Sequence, residues 1–281
     1  MLTVRLTKFL LLASFLIFST NANGQKTTVE DVITKHLDSI GSADSRVAVK
    51  TRILEGKVHA RSTQLSSSLV KGKTVLASDT DKTVLQMSFN LIDYPRENIN
   101  FDGKNVNAAF VTAGRRSGLG SFAFNYKEIV KYGFLGGTLL SSWALLDADK
   151  KVSKLTYEGR EKIGDREVHV LRSVPRNGSE LSIKLYFDTQ TFRHLRTGYY
   201  LVHTRNALIS SEVSSRQAET RYLMIEDYSD FKAVNDLTLP TTYKITYTLE
   251  TSDNSQEFEW ILNFSRFAFN SILKPQLFIF D

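Results

Sequence analysis

From residue 29 onward the apolar positions recur every three to four residues. Val29, Val32, Ile33, His36, Leu37 and Ile40 share one stripe, the period of a helix with one buried face. Thr27 and Glu30 stand in capping-box spacing ahead of the stripe, and Gly41 is a natural stop. Asp44 predicts the start of a short second helix reaching Lys50. His36 lies on the apolar stripe, which assigns it a partly buried structural place.

Beyond this the period changes to two. Leu85, Met87 and Phe89 alternate with Gln86 and Ser88. Ile99 and Phe101 run into Asp102-Gly103, a hairpin signal, and Val106, Ala108 and Phe110 return from it. Leu181, Ile183, Leu185 and Phe187 alternate in the same way, as do Tyr243, Ile245, Tyr247 and Leu249, and then Phe258, Trp260, Leu262 and Phe264. Polar turns separate these runs at Ser78-Asp79-Thr80-Asp81, Asp188-Thr189-Gln190, Val234-Asn235-Asp236 and Ser252-Asp253-Asn254. Strands joined by such short turns pair antiparallel, with one apolar and one wet face. A long sheet of this kind must curl, close or be covered. The fold class is therefore α+β, mostly β.

Residues 118–146 break the alternation. They are apolar, rich in glycine and aromatic, and read as one or two short helices with glycine joints. Two roles fit: a helical plug completing the core, or a movable lid over an apolar cavity. On the lid role Phe122, Phe124, Phe134, Leu135, Leu139 and Trp143 are the candidate ligand-contacting side chains, with Trp260 on the strand face opposite.

The first 24 residues carry Arg5 and Lys8, an apolar run from Phe9 to Phe18, and then small and polar residues. That order is a secretory signal peptide, and the run falls short of the roughly 20 apolar residues a spanning helix needs. Cleavage after Ala22 or Gly24 leaves residues 25–281 as one β-rich domain. The chain has no cysteine, so a lipid-modified N-terminal cysteine and a disulfide framework are both excluded, and the mature chain must rely on its core. Removing Arg5 and Lys8 leaves 34 basic residues against 30 acidic, a net charge of +4. The charges are mixed along the chain, which does not support nucleic-acid binding.

Fragments of catalytic motifs lack their context. Ser68-Leu69-Val70-Lys71 and Ser252-Asp253-Asn254 match two of three serine β-lactamase elements, but the K-T-G element is missing. Gly72-Lys73-Thr74 lacks the glycine five residues upstream that a P-loop needs. Gly136-Gly137 follows no parallel strand and makes no dinucleotide fingerprint. His36, His59, His169, His194 and His203 show no metal spacing, although His194 and His203 can meet across a hairpin. Asn177-Gly178-Ser179 and Asn263-Phe264-Ser265 match the glycosylation sequon. No metal, cofactor or catalytic residue is indicated.

Leu185-Tyr186-Phe187-Asp188-Thr189-Gln190-Thr191 resembles a strand ending in a "YFD-x-x-T" turn. Tyr228-Ser229-Asp230-Phe231 with Val234-Asn235-Asp236-Leu237-Thr238-Leu239-Pro240 resembles a "YSDF…VNGLxLP" strand pair. Both motifs are similar to those of the LolA-like lipoprotein-carrier superfamily. The resemblance implies a strongly curved antiparallel sheet, an unclosed barrel with helices covering its mouth, and a cavity for acyl chains or another lipid. It implies no catalytic residues. Three functions follow in order: a periplasmic, monomeric carrier of a lipid or lipoprotein acyl chain with an envelope protein as a further partner; an exported hydrolase with a dispersed site; and an envelope assembly domain with a filled core.

Overall fold

The computed structural model describes residues 27–62, 69–148, 154–174, 181–203, 220–250 and 254–279. The signal segment, Ser68, Asn177 and the Ser252-Asp253 turn lie outside the described residues.

Helix α1 (Val29–Ile40) begins at Thr28, whose side chain and that of Asp31 cap each other's backbone N–H. The capping box is thus one residue later than Thr27 and Glu30 suggest, because Thr28 presents its hydroxyl at the first turn. Helix α2 (Ala43–Ala48) is capped by Ser42, with Asp44 inside the first turn. A hydroxyl preceding the helix can reach the free N–H of Ser45, and an acid one turn in serves the helix dipole instead.

Among the described residues twelve strands follow. They are β1 (Thr51–Ser62), β2 (Val70–Asp79), β3 (Lys82–Phe89), β4 (Arg96–Phe101), β5 (Val106–Ala108), β6 (Lys154–Ile163), β7 (Arg166–Val174), β8 (Ser182–Asp188), β9 (His194–His203), β10 (Thr220–Val234), β11 (Leu237–Glu250) and β12 (Ser255–Phe269). They form one antiparallel sheet in the order β5-β4-β3-β2-β1-β12-β11-β10-β9-β8-β7-β6. Every neighbour is also a sequence neighbour except β1 and β12, which join the two halves. The edges β5 and β6 are not paired with each other, so the sheet stays an open, unclosed barrel, as the resemblance implied.

Residues 118–146 connect those two edges and fill the concave face. They form α3 (Gly118–Asn125), α4 (Glu128–Lys131) and two 3-10 turns at Gly137–Leu139 and Ala144–Asp147. Gly133 and Gly136 act as the joints. Both have positive φ, and a Cβ on Gly133 would stand 2.0 Å from the Ser142 carbonyl oxygen. Leu119, Phe122, Ile129, Leu139 and Trp143 of this segment pack with Leu54, Met87, Leu185, Tyr199, Ile245 and Leu262 of the sheet in one core. The opposite face of the sheet carries two small clusters. One is Val168, Val170, Tyr186 and Leu195. The other is Ala77, Val84 and Phe278, the last from a 3-10 turn at Pro275–Phe278.

The expected hairpins are present. The Asp102-Gly103 turn joins β4 to β5, with Asp102 Oδ1 accepting from the N–H groups of Lys104 and Asn105 at 2.7 and 2.6 Å. The β10–β11 turn places Asn235 at φ +52, a left-handed position that asparagine tolerates. Phe110 is a difference: β5 stops at Ala108, and the Phe110 side chain is 46% exposed beneath the Arg116 guanidinium.

Candidate functional site

A cavity of about 780 Å³ opens at one end of the concave face. Its walls come from the end of β1, the start of β2, the β3–β4 connection, residues 111–118 and the start of β12. Trp260 stands in the wall, cross-strand from Ala60. Half-buried Val70 and Phe258 line it beside them.

Beneath this apolar lining lies a polar floor. Trp260 Nε1 donates to Tyr94 Oη at 2.8 Å, and Tyr94 Oη donates to Glu97 Oε2 at 2.6 Å. Ser117 Oγ donates to Glu97 Oε1 at 2.7 Å while accepting the Gly120 N–H at 2.8 Å. Glu97 itself is 1% exposed. Burial pushes its carboxyl up to about 7, against the lowering pull of the Ser117 and Tyr94 hydrogen bonds.

The mouth is apolar and basic. Leu69, Leu91 and Ile92 line it at 51, 41 and 95% exposure, a local concentration of solvent-facing aliphatic surface. Arg61, Lys71, Arg115 and Arg116 are also lining residues, against Asp93 as their acidic counterpart.

The other candidate residues lie elsewhere. Phe122, Phe134, Leu135, Leu139 and Trp143 are each at most 6% exposed and belong to the core under the sheet. Phe122 meets Tyr126, Tyr199 and Tyr247 edge-on or tilted. Phe134 meets Trp143 edge-on. Leu135 borders a gap of about 10 Å³, room for at most one water. Phe124 is half-buried under Arg116 and Lys127. Of the candidates, Trp260 is the one in the cavity wall.

A second polar group sits deep in the core and is closed to solvent. Trp143 Nε1 donates to His36 Nε2 at 3.0 Å, which places the His36 hydrogen on Nδ1, where it reaches the Phe192 carbonyl at 3.1 Å. Burial pushes His36 down to about 4 and His194 well below its ordinary value. His36 is therefore more deeply buried than its stripe position alone required. His194 stacks on Trp143 at 4.9 Å. The His203 side chain is outside the described residues. Glu226 accepts from Tyr199, Tyr243 and the Gly136 N–H, and burial outweighs these bonds and raises it to about 7. No group of three or more His, Asp or Glu side chains among the described residues is placed to hold a metal ion.

These buried groups act on stability in opposite directions. A carboxyl near 7 in the fold and 4.5 when unfolded stabilises below pH 4.5, and that contribution is lost as pH rises through 7. A histidine near 4 in the fold and 6.5 when unfolded stabilises above pH 6.5, and that contribution is lost as pH falls towards 4. Glu226→Gln removes one carboxyl. Relative to the parent, its unfolding free energy should gain about 2 kcal/mol on going from pH 5 to pH 7, measured by urea unfolding at both values. Parallel pH dependence would mean Glu226 stays ionised throughout.

Glu97, Tyr94, Ser117, Arg115, Leu91 and Ile92 were not singled out by the sequence pattern, and Lys71 entered it only as part of an incomplete S-x-x-K match. Adjacent aliphatics inside the polar stretch Asn90-Leu91-Ile92-Asp93 were the available signal. Glu97, between Arg96 and Asn98, offered none.

No family model matches the chain, and no curated protein matches it. Among solved structures it is similar to a DUF1329 family protein from Desulfovibrio piger, with a TM-score of 0.50 and 11% identity, over 90% of this chain and 97% of that one. It is also similar to a LolA superfamily protein from Nitrosomonas europaea, with a TM-score of 0.46 and 12% identity, over 90% and 98% of the two chains. A domain from Vibrio parahaemolyticus described as an outer membrane lipoprotein-sorting protein aligns with a TM-score of 0.45 and 16% identity, over 88% and 97%. At these identities the likeness concerns the fold alone.

Proposed function

We propose that this protein is a non-enzymatic carrier that holds the acyl chain of a lipid or lipoprotein in the end cavity. The observation that carries the reading is the cavity itself: about 780 Å³, walled by Trp260, Phe258 and Val70, with exposed Leu69, Leu91 and Ile92 at its mouth. That volume lies within the roughly 300–1,000 Å³ of sites that enclose a small ligand. Each methylene taken from water into such a lining contributes about 0.8 kcal/mol, so a chain is retained without reactive chemistry. The polar groups of the cavity floor are tied to one another, and the buried His36 and Glu226 groups have no opening to a substrate, which favours binding over catalysis. The segment 118–146 acts as a core plug on this reading, with the ligand space at its end.

The signal-like first 24 residues, with cleavage after Ala22 or Gly24, fit export to the periplasm. No helix among the described residues is long and apolar enough to cross a membrane.

The test is titration with an uncharged apolar fluorophore, N-phenyl-1-naphthylamine. The parent should bind it saturably. Val70→Trp puts an indole into the cavity from a half-buried strand start and should weaken binding by about tenfold or more, with the melting temperature little changed. Equal binding by the two proteins would remove the cavity as the site.

A further inference from the structure

The geometry points to a ligand of one chemical class: a single-chain amphiphile bound tail-in, with an anionic phosphate or carboxylate headgroup at the cavity mouth. This rests on the acyl-chain reading above.

The floor sets the orientation. The polar side chains that line it from below have their donors committed within the protein: the Trp260 indole to Tyr94, the Tyr94 hydroxyl to Glu97, and the Ser117 hydroxyl to Glu97. Ser117 also already accepts the Gly120 N–H. A headgroup carbonyl or hydroxyl carried to that depth would lose its water and break one of these bonds to find a partner. A hydrocarbon tail asks for neither, so the tail goes in and the head stays at the rim.

The rim sets the charge. Arg61 is already paired with Glu259 at 2.6 Å, a carboxylate that also pairs with Lys244. Lys71 and Arg115 are exposed at the mouth. Arg115 sits in a tight turn closed by backbone hydrogen bonds with Thr112. Arg116 is held with its guanidinium 4.3 Å from the Phe110 ring centre and 4.0 Å from that of Phe124, and its Nε donates to the Ala108 carbonyl at 2.7 Å. Lys71, Arg115 and Arg116 share the cavity lining with one acid, Asp93. An anionic head there gains charge-assisted hydrogen bonds, a neutral head gains little, and an ammonium head is repelled. Leu69, Leu91 and Ile92 stand beside these cations, so the upper part of the tail and the head meet matching surfaces together.

The experiment displaces bound N-phenyl-1-naphthylamine with four compounds below their micelle concentrations in low salt: dodecyl phosphate, dodecanol, dodecyltrimethylammonium and inorganic phosphate. Dodecyl phosphate should displace at concentrations about tenfold lower than dodecanol, and dodecyltrimethylammonium should be weaker still. Inorganic phosphate should not displace. The advantage of dodecyl phosphate should shrink in high salt. The exposed pair Lys71→Glu with Arg115→Glu should melt at the same temperature as the parent and lose the preference for the anion, with dodecyl phosphate no longer displacing the probe at lower concentrations than dodecanol. Equal displacement by all three dodecyl compounds, with the probe still bound, would overturn the headgroup assignment and leave the cavity reading intact. Displacement by inorganic phosphate as effective as by dodecyl phosphate would equally overturn it, in favour of a free-anion site. Absence of probe binding in the parent would instead overturn the acyl-chain reading on which it rests.

Discussion

Trp143→Ala is expected to lower the unfolding free energy by about 3–5 kcal/mol, the range for deleting a fully buried large aromatic. Trp143 is 0% exposed. Its ring stacks on His194 at 4.9 Å and meets His36 and Phe134 edge-on. Its N–H also satisfies His36 Nε2, and leaving that buried acceptor without a donor adds to the cost of the empty volume. Trp143→Phe separates the two contributions: it keeps most of the packing, removes the donor, and should cost about 1–3 kcal/mol. Urea unfolding measures both. A shift below about 1 kcal/mol for Trp143→Ala would mean that residues 118–146 are not part of the cooperative core.

The second large effect is the combined change Phe134→Ser and Leu135→Ser. Both side chains are buried in the core and neither lines the end cavity. Each deletion should cost about 2–5 kcal/mol, together a large part of the roughly 5–15 kcal/mol that holds a domain folded. Affinity for N-phenyl-1-naphthylamine, measured at low temperature where the variant is still folded, should stay within about twofold of the parent. Leu135→Ala alone gives a milder version of the same comparison. The reverse pattern, a lost probe site with an unchanged melting temperature, would identify the segment as a lid. The balance rests on what touches these residues: Phe134 packs on Trp143, and the adjoining Gly136 N–H is held by Glu226 at 2.7 Å. Opening the segment would leave that buried carboxylate short of a donor.

Alternation alone determined which side chains of Leu85, Met87, Leu181, Ile183, Leu185, Tyr243, Ile245, Trp260 and Leu262 face inward, because a strand has a two-residue period and one face must leave water. All of these are buried. Helical spacing determined α1, and turn chemistry determined the hairpins at Asp102-Gly103 and Val234-Asn235. The glycine joints of residues 118–146 were likewise legible, because glycine adopts the positive φ values required there. Tertiary structure alone decided how the two halves of the sheet meet. Pairing of β1 with β12 brings residues about 200 positions apart into register, and no local pattern encodes it. The end cavity arises from the same pairing: Ala60, Tyr94, Arg115 and Trp260 come from four separate stretches of chain and become neighbours when the two halves of the sheet join. Glu97 shows the limit most plainly. In sequence it is one charged residue among many. Its place beneath Tyr94, Ser117 and Trp260, and the burial that raises its carboxyl, exist once the sheet has curved over them. Periodicity reports which face of an element avoids water, while a site depends on which distant elements share that face.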